Sequence, residues 1–263
     1  MYGPAGAPGL PPSVRSAVRP VQSRAAGTAR DDGQAVMSPG LIIFDCDGVL
    51  VDSEPISVSV LVDVIGAGGG TITEEAAYRH FLGRSMKSVA EILHSDFGFA
   101  LTDIHLADMR AELNRRYERE LKPVPGIREA LERLDVARCV ASSGSLDRIR
   151  LSLRLTGLLA LLEPHLYSAS MVERGKPAPD LFLHAAGGMG VRREACIVIE
   201  DSPAGIMAAK AAGMRVFAFV GGSHAERAGL REALETLGPD LVFDDMRLLP
   251  GLVEGFDLRA KAG

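Results

Sequence analysis

Short apolar runs recur along this chain of 263 residues and constrain its fold more than any other feature. A run without polar alternation is typical of a strand that is buried on both faces of a parallel sheet. The runs are Leu41–Phe44, 138–141, 195–199, 214–220 and 241–243. The segments between them have helical spacing, as in Ile127, Ala130, Leu131 and Leu134. This alternation predicts an α/β fold: a doubly wound, Rossmann-like parallel sheet with helices on both faces.

One long stretch interrupts the alternation after the first run. Leu106, Met109, Leu113, Tyr117 and Leu121 lie on one face of a long amphipathic helix. Residues 56–65 are rich in valine, which favours a strand, but we predict a helix because the surrounding pattern is helical. Residues 122–126 contain two prolines and a glycine and are typical of a linker. We therefore predict a core domain at 41–52 and 123–263, with a small helical cap domain inserted at 53–122.

Composition limits the partners and the compartment. The formal net charge is −5 and there is no tryptophan, so nucleic acid is not an expected partner. No apolar stretch approaches the ~20 residues of a membrane span, so a membrane is not an expected partner either. Three cysteines without CxxC spacing argue against disulfides and structural zinc, and fit a reducing cytoplasm. A monomer is the default expectation. Residues 1–40 are predicted to be a disordered tail. The alternatives are an organelle transit segment and an upstream extension of a gene whose true start is Met37.

Polar residues follow the apolar runs at the positions where strands should end. They are Asp45 and Asp47, Ser142 and Ser143, Lys176, and Glu200 and Asp201. The carboxyl ends of parallel strands line one crevice, so these groups are expected to converge there. Crowded carboxylates repel one another, and Mg²⁺ with its preference for oxygen ligands would relieve that repulsion. One lysine and one metal ion supply the positive charge that holds a phosphate, while Gly48 permits close approach of the backbone.

Each of these groups alone is typical of a helix cap or a turn, but four motifs together carry a resemblance. FDCDGVLVDSE at Phe44–Glu54, ASSGS at Ala141–Ser145, GKPAPD at Gly175–Asp180 and IEDSPAG at Ile199–Gly205 occur in this order. They resemble the four motifs of the haloacid dehalogenase-like hydrolase superfamily. The helical insertion is similar to the cap of the subgroup that contains phosphoglycolate-type phosphatases and β-phosphoglucomutase.

The resemblance implies a role for each matching residue. Asp45 would attack phosphorus to form an aspartyl-phosphate, and Asp47 would serve as general acid and then as general base. Ser142 would bind a phosphoryl oxygen, and Lys176 would neutralise charge on nucleophile and phosphate. The implied Mg²⁺ ligands are Asp45, Asp47 through its carbonyl, and Asp201, with Glu200 close by. The implied substrate-binding residues are Gly48, Ser143, Gly144 and, in the cap, Arg84.

These expectations describe a Mg²⁺-dependent phosphatase that acts on a small phosphomonoester, such as a sugar or organic-acid phosphate. A sugar-phosphate mutase is the alternative within the family, although the cap histidine of β-phosphoglucomutases is replaced here by Ser57. A phospho-receiver module shares the Asp, hydroxyl and lysine set but needs no cap. A non-catalytic scaffold would have no reason to keep clustered carboxylates.

Overall fold

The computed structural model describes residues 38–81 and 86–258. All but three residues of the predicted tail, and Arg84 of the cap, lie outside the described residues. Within the described ranges, six parallel strands form one sheet in the order β3-β2-β1-β4-β5-β6. The strands are β1 Leu41–Phe44, β2 Ala137–Ser142, β3 Leu166–Ser168, β4 Cys196–Glu200, β5 Arg215–Phe219 and β6 Leu241–Phe243. The predicted α/β sheet is confirmed, and β3 adds a short strand that no apolar run marked.

Helices alternate with the strands after β2 and stand in a group before it. The group between β1 and β2 consists of α1 Glu54–Ala67, α2 Glu74–Phe81, α3 Met86–Phe97 and α4 Asp103–Glu120, followed by α5 Ile127–Arg133. The later helices are α6 Leu146–Leu155, α7 Leu159–Leu162, α8 Asp180–Gly188, α9 Pro203–Ala211, α10 Leu230–Glu235 and α11 Leu249–Glu254. None of these helices in the described part of the chain is long and apolar enough to cross a membrane.

The first strand is buried on both faces, as its unbroken apolar sequence predicts. Ile42 and Phe44 pack into one hydrophobic cluster, and Leu41 and Ile43 pack into another on the opposite face. All four side chains are fully buried. Each contributes about 1.5–3 kcal/mol relative to an exposed side chain. Because β1 lies between β2 and β4, the residue that follows it emerges at the point where the strand order reverses, which is where open α/β sheets bind ligands.

The valine-rich segment is helical, as its context predicted and its propensity did not. In α1, Ile56, Val60 and Val64 are buried in the same hydrophobic cluster as Tyr117 of α4. Burial against a neighbouring helix therefore outweighs the small β preference of valine.

The two chain segments that connect this helical group to the sheet lie side by side. The Asp52 amide donates to the Lys122 carbonyl at 2.9 Å, and the Val124 amide donates to the Leu50 carbonyl at 3.0 Å. Val51 and Pro123 form an antiparallel bridge. The helical group thus leaves and rejoins the sheet through two backbone segments that are hydrogen-bonded to each other, and the second of them lies in the stretch 122–126.

Candidate active site

The predicted polar residues come together at the carboxyl edge of the sheet. Asp45 follows β1 directly, Ser142 ends β2, and Glu200 ends β4 with Asp201 next to it. All four side chains are buried although they are polar. Burial of so many polar groups is costly unless they are hydrogen-bonded or paired with charge, so the contacts among them define the chemistry of the site.

Lys176 links two of the carboxylates. Its Nζ lies 2.5 Å from Asp45 Oδ1 and 2.6 Å from Glu200 Oε1, and its side chain is only 4% exposed. The ring of Phe182 packs 4.9 Å from the ammonium group. Burial alone would lower the pKa of Lys176, but the charges of Asp45 and Glu200 outweigh it and raise that pKa. The amine therefore remains a cation and holds Asp45 in place.

Asp45 and Asp201 belong to a cluster in which carboxylates outnumber the positively charged side chains. Burial raises the pKa of Asp45 well above its ordinary value; Lys176 opposes this, and the neighbouring carboxylates add to it. Burial, followed by the charge of Glu200, likewise raises the pKa of Asp201. A further cation at this position would favour the ionised form of both carboxylates.

Asp47 is held by a different pair of residues. Ser53 Oγ donates to Asp47 Oδ1 at 2.7 Å, and Arg148 Nη2 donates to Asp47 Oδ2 at 2.6 Å. Burial works to raise the pKa of Asp47, but the charge and hydrogen bond of Arg148 outweigh it and hold that pKa below its ordinary value. Asp47 is thus an ionised carboxylate with both oxygens hydrogen-bonded.

Glu200 has the surroundings of a structural anchor. Its Oε2 accepts hydrogen bonds from the Asp201 amide, the Ser202 amide and Ser202 Oγ at 2.9–3.0 Å, while Oε1 accepts from Lys176. A Cβ on Gly205 would lie 1.8 Å from Glu200 Oε1, so glycine is required there. Because both oxygens are engaged, the geometry favours orientation of Lys176 over metal ligation, and the predicted place of Glu200 near the metal stays a prediction.

The loop after β2 is fixed by local hydrogen bonds. The Gly144 amide donates to Ser142 Oγ at 3.1 Å, and Ser168 Oγ donates to the Gly144 carbonyl at 2.6 Å. Ser142 is buried at the end of β2, whereas Ser143 is exposed. The loop is therefore preorganised with one hydroxyl directed inward, and the substrate contacts predicted for Ser143 and Gly144 stay predictions.

Gly48 lies where a side chain would collide with the acidic cluster. Its φ is +78°, and a Cβ would lie 1.8 Å from Asp201 Oδ2. The ring of His224, from the loop after β5, packs against the same place, with Nε2 3.3 Å from Asp201 Oδ2. Burial lowers the pKa of His224, which favours the neutral ring. The requirement for glycine here has a steric cause, and the close approach of the Gly48 backbone to a phosphate stays a prediction.

Four residues of the site received no role from the sequence. Ser53 and Glu54 stand within the first motif, and Arg148 and His224 lie outside all four motifs. Burial raises the pKa of Glu54 to about 8, and the charges of two nearby carboxylates add to this. Only the motif could have pointed to Ser53 and Glu54, and no local pattern distinguishes Arg148 or His224 from ordinary surface residues.

The donor set is compatible with a hard divalent cation. Asp45, Asp201 and the main-chain carbonyl of Asp47 supply oxygen atoms only, and their excess negative charge would be relieved by such an ion. Within 38–81 and 86–258, no group of three or more His, Cys, Asp or Glu side chains is arranged to hold a metal by itself. Mg²⁺ fits such a set because it is commonly bound through one or two carboxylates and retains several waters.

Comparison with known proteins agrees with this arrangement. Residues 39–213 match the family model of the haloacid dehalogenase-like hydrolases. The chain is 33% identical over 184 residues to a 6-phosphogluconate phosphatase of Escherichia coli, covering 70% of this chain and 83% of that protein. It is 32% identical over 181 residues to hexitol phosphatase A of the same organism, covering 67% and 81%.

Solved structures show the same fold. A haloacid dehalogenase-like protein from Agrobacterium tumefaciens superposes with a TM-score of 0.73 at 38% identity, covering 82% of this chain and 97% of that one. A hydrolase of the family from Deinococcus radiodurans, solved with bound phosphate and sodium, has a TM-score of 0.68 at 31% identity, covering 83% and 96%. The four motifs, the sheet and these matches together show that the chain belongs to the haloacid dehalogenase-like hydrolases.

Proposed function

We propose that this protein is a metal-dependent phosphatase that hydrolyses a small phosphomonoester through an aspartyl-phosphate on Asp45. The observation that carries the proposal is the buried Asp45–Lys176–Glu200 arrangement beside Asp201 and Asp47, at the edge of the sheet. Membership of the hydrolase family and similarity to named phosphatases support this reaction class.

Asp45 is suited to be the nucleophile. The ammonium of Lys176 contacts Oδ1, which favours the ionised carboxylate and leaves Oδ2 to attack phosphorus. The same ammonium can neutralise charge on the phosphoryl oxygens in the transition state. Ser142, at the end of the strand that pairs with β1, would supply a hydroxyl donor for a phosphoryl oxygen.

Asp47 is suited to transfer protons at the leaving oxygen. As general acid it would protonate the departing alkoxide, and as general base it would then activate the water that hydrolyses the intermediate. The ionised form that Arg148 favours is the one required for the base step. The acid step requires Asp47 first to take up a proton from solvent, and one of its oxygens to exchange its present hydrogen bond for the leaving oxygen.

Mg²⁺ is the cation we propose for the carboxylate cluster. Asp45, Asp201 and the Asp47 carbonyl would hold it, and when bound it supplies positive charge that stabilises the phosphoryl oxygens. The chain's own residues prepare the site, because Gly48 has no side chain and so lets Asp201 lie against its backbone, and Lys176 keeps Asp45 oriented.

We further propose that α1–α4 act as a cap that covers the site during turnover. Two contacts support this. Tyr117 of α4 faces Arg148, whose guanidinium carbon is 5.9 Å from the ring centroid, and Arg227 of the core lies 5.8 Å from the ring of Tyr78 in α2. Closure about the paired segments near Asp52 and Pro123 would exclude water from the intermediate.

The names of the relatives support a choice of substrate class. Named relatives act on phosphorylated sugar acids and hexitols, and we propose a phosphorylated sugar, polyol or organic acid as the substrate of this protein.

Three free, buried cysteines support the predicted cytoplasmic location. A monomer remains the predicted state, which light scattering on the purified protein would test.

The deciding experiment measures phosphate release from a panel of small phosphate esters with Mg²⁺ or with EDTA. Wild type should release phosphate only with metal, and Asp45→Asn should lose at least a thousand-fold in kcat, as expected for removal of a nucleophile. Asp63→Asn, which changes an exposed aspartate of α1, is the matched control and should behave as wild type. Undiminished release by Asp45→Asn would refute the mechanism.

A mutase is the second candidate, because one structural relative at 25% identity is a putative β-phosphoglucomutase of Thermotoga maritima. The position of the mutase histidine is Ser57, whose Oγ lies 3.4 Å from the Tyr117 hydroxyl and has no basic nitrogen. We therefore expect hydrolysis to dominate. Conversion of β-glucose 1-phosphate to glucose 6-phosphate faster than phosphate release would favour the mutase.

A further inference from the structure

Arg148 connects the proposed general acid to the helical group. It lies in the first turn of α6, where Ser145 caps the helix by accepting a hydrogen bond from the Arg148 amide at 3.4 Å. Its Nη2 donates to Asp47, and its guanidinium lies over the ring of Tyr117. The side chain therefore spans the junction between the sheet edge and α4, next to the carboxylate that we propose protonates the leaving group.

Arg148 has N–H donors that its contact with Asp47 does not use. In the part of the chain that the structure describes, its buried Nε has no hydrogen-bond partner, and Asp47 engages only one terminal nitrogen. Its side chain is 36% exposed, whereas that of Lys176 is 4% exposed and already contacts two carboxylates. Arg148 is thus the more accessible of these two cations, and it offers the planar set of donors that matches a carboxylate.

The position of Arg148 defines which substrate atoms it can reach. If Asp47 hydrogen-bonds the leaving oxygen at about 2.7 Å, then Nη2, 2.6 Å from Asp47, lies within roughly 6 Å of that oxygen. When a carboxylate group is attached to the ester carbon, its oxygens lie roughly 3 Å from the ester oxygen. One further hydrogen bond of about 2.8 Å then spans the distance from such an oxygen to Nη2.

We propose that Arg148 is a specificity-determining residue that binds a carboxylate on the ester carbon of the substrate, an inference that rests on the proposed phosphatase function. On binding, Arg148 shifts its ionic contact from Asp47 Oδ2 to the substrate carboxylate. The exchange releases Oδ2 to contact the leaving oxygen, because both Asp47 oxygens are otherwise occupied. Recognition of the leaving group and preparation of the acid are then one event.

The test compares two esters of matched size. Phosphoglycolate carries a carboxylate on the ester carbon, and 2-hydroxyethyl phosphate carries a neutral hydroxymethyl group there; p-nitrophenyl phosphate reports general competence. The ratio of kcat/KM for the first two esters is measured for wild type, Arg148→Gln and Arg148→Lys. The control is Arg150→Gln, on the same helix, whose side chain is 42% exposed and pairs with Glu163.

We expect wild type to prefer phosphoglycolate at least ten-fold, and Arg148→Gln to lower that ratio by about 10-fold to 100-fold, mainly through KM. Arg148→Lys should retain part of the preference because it keeps the charge but not the planar fork, and Arg150→Gln should retain all of it. A wild-type ratio near one overturns the inference without any variant. Equal losses for both esters in Arg148→Gln also overturn it, since they indicate a role in positioning Asp47 alone.

The same experiment separates this inference from the proposed function. If wild type hydrolyses p-nitrophenyl phosphate in an Asp45-dependent manner but shows no carboxylate preference, only the role of Arg148 is wrong. If no ester is hydrolysed, or if Asp45→Asn hydrolyses all three as well as wild type, the phosphatase proposal and the inference are both overturned.

Discussion

Replacement of Lys176 by methionine tests the electrostatic basis of the site most directly. The substitution keeps the length of the side chain but removes an ammonium that lies 2.5 Å from Asp45 and 2.6 Å from Glu200. These carboxylates are only 11% and 1% exposed, so water does not replace the lost contact. Removal of one partner from a buried ion pair costs about 3–5 kcal/mol.

Two features of the site reduce that cost. Glu200 keeps three hydrogen bonds from the backbone and side chain of the following residues, and Asp45 can accept a proton. We therefore expect Lys176→Met to lower the free energy of unfolding by about 3 kcal/mol at pH 8, the lower end of that range. The same change should lower kcat by about 100-fold to 1000-fold, since it removes a cation that stabilises the transition state.

The loss of stability should depend on pH in a defined direction. Burial already raises the folded-state pKa of Asp45 above its ordinary value, and the lost ammonium no longer opposes that shift. A carboxyl with a raised folded-state pKa binds more protons folded than unfolded. Its contribution is present at low pH and is lost as the pH rises through the folded-state pKa. Lys176→Met should therefore be closer to wild type at pH 5 than at pH 8.

Urea unfolding followed by circular dichroism, at both pH values and with EDTA present, measures these differences. Lys122→Met, which changes an exposed lysine, is the control for loss of one positive charge. Asp45→Asn added to Lys176→Met should recover at least about 1 kcal/mol, because it removes an unpaired buried charge. Stability of Lys176→Met within about 0.5 kcal/mol of wild type at pH 8 would contradict the reasoning.

Three further substitutions follow from the geometry. Gly48→Ala should lower kcat at least 100-fold, because its Cβ would collide with Asp201. The control is Gly69→Ala, at φ +83° in open space, which should lose only about 1–2 kcal/mol of stability. Enzyme kinetics and urea unfolding of both variants make the comparison. Wild type should lose stability between pH 5 and pH 8, because the folded-state pKa of Glu54 is raised to about 8, and Glu54→Gln should lose less over that range. The same pH profile for both proteins would contradict this. Leu93→Ala, at a fully buried position of α3, should cost about 2–5 kcal/mol by urea unfolding, and a smaller cost would indicate that the helical group collapses around the cavity.

Much of the fold was predictable because it depends on local pattern. The unbroken apolar runs predicted β1, β2, β4, β5 and β6, since a strand buried on both faces has no polar alternation. The start of α9 also has a local cause, because Ser202 stands directly before Pro203 and its Oγ accepts a hydrogen bond from the Gly205 amide at 3.0 Å. The short strand β3 was not predicted because three residues contain too little periodicity.

The motif residues of the site were predictable, but their partners were not. Asp47 was identified by its motif, whereas its contact with Arg148 joins residues 101 positions apart. Glu200 was placed near the metal by its motif, although its two oxygens accept four hydrogen bonds from other groups. A sequence motif identifies a residue type at a position and contains no information about which donors surround it.

The sequence by itself therefore determined the strand and helix alternation, the family and the order of the chemical groups, because hydrophobic spacing and short motifs are local properties. Only the tertiary structure decided that Lys176 meets Asp45 across 131 positions, and that Arg148 joins Asp47 to Tyr117. These contacts depend on the strand order around β1 and on the return of the helical group to the sheet edge. Charge, burial and direction combine there in three dimensions, and no local pattern specifies their combination.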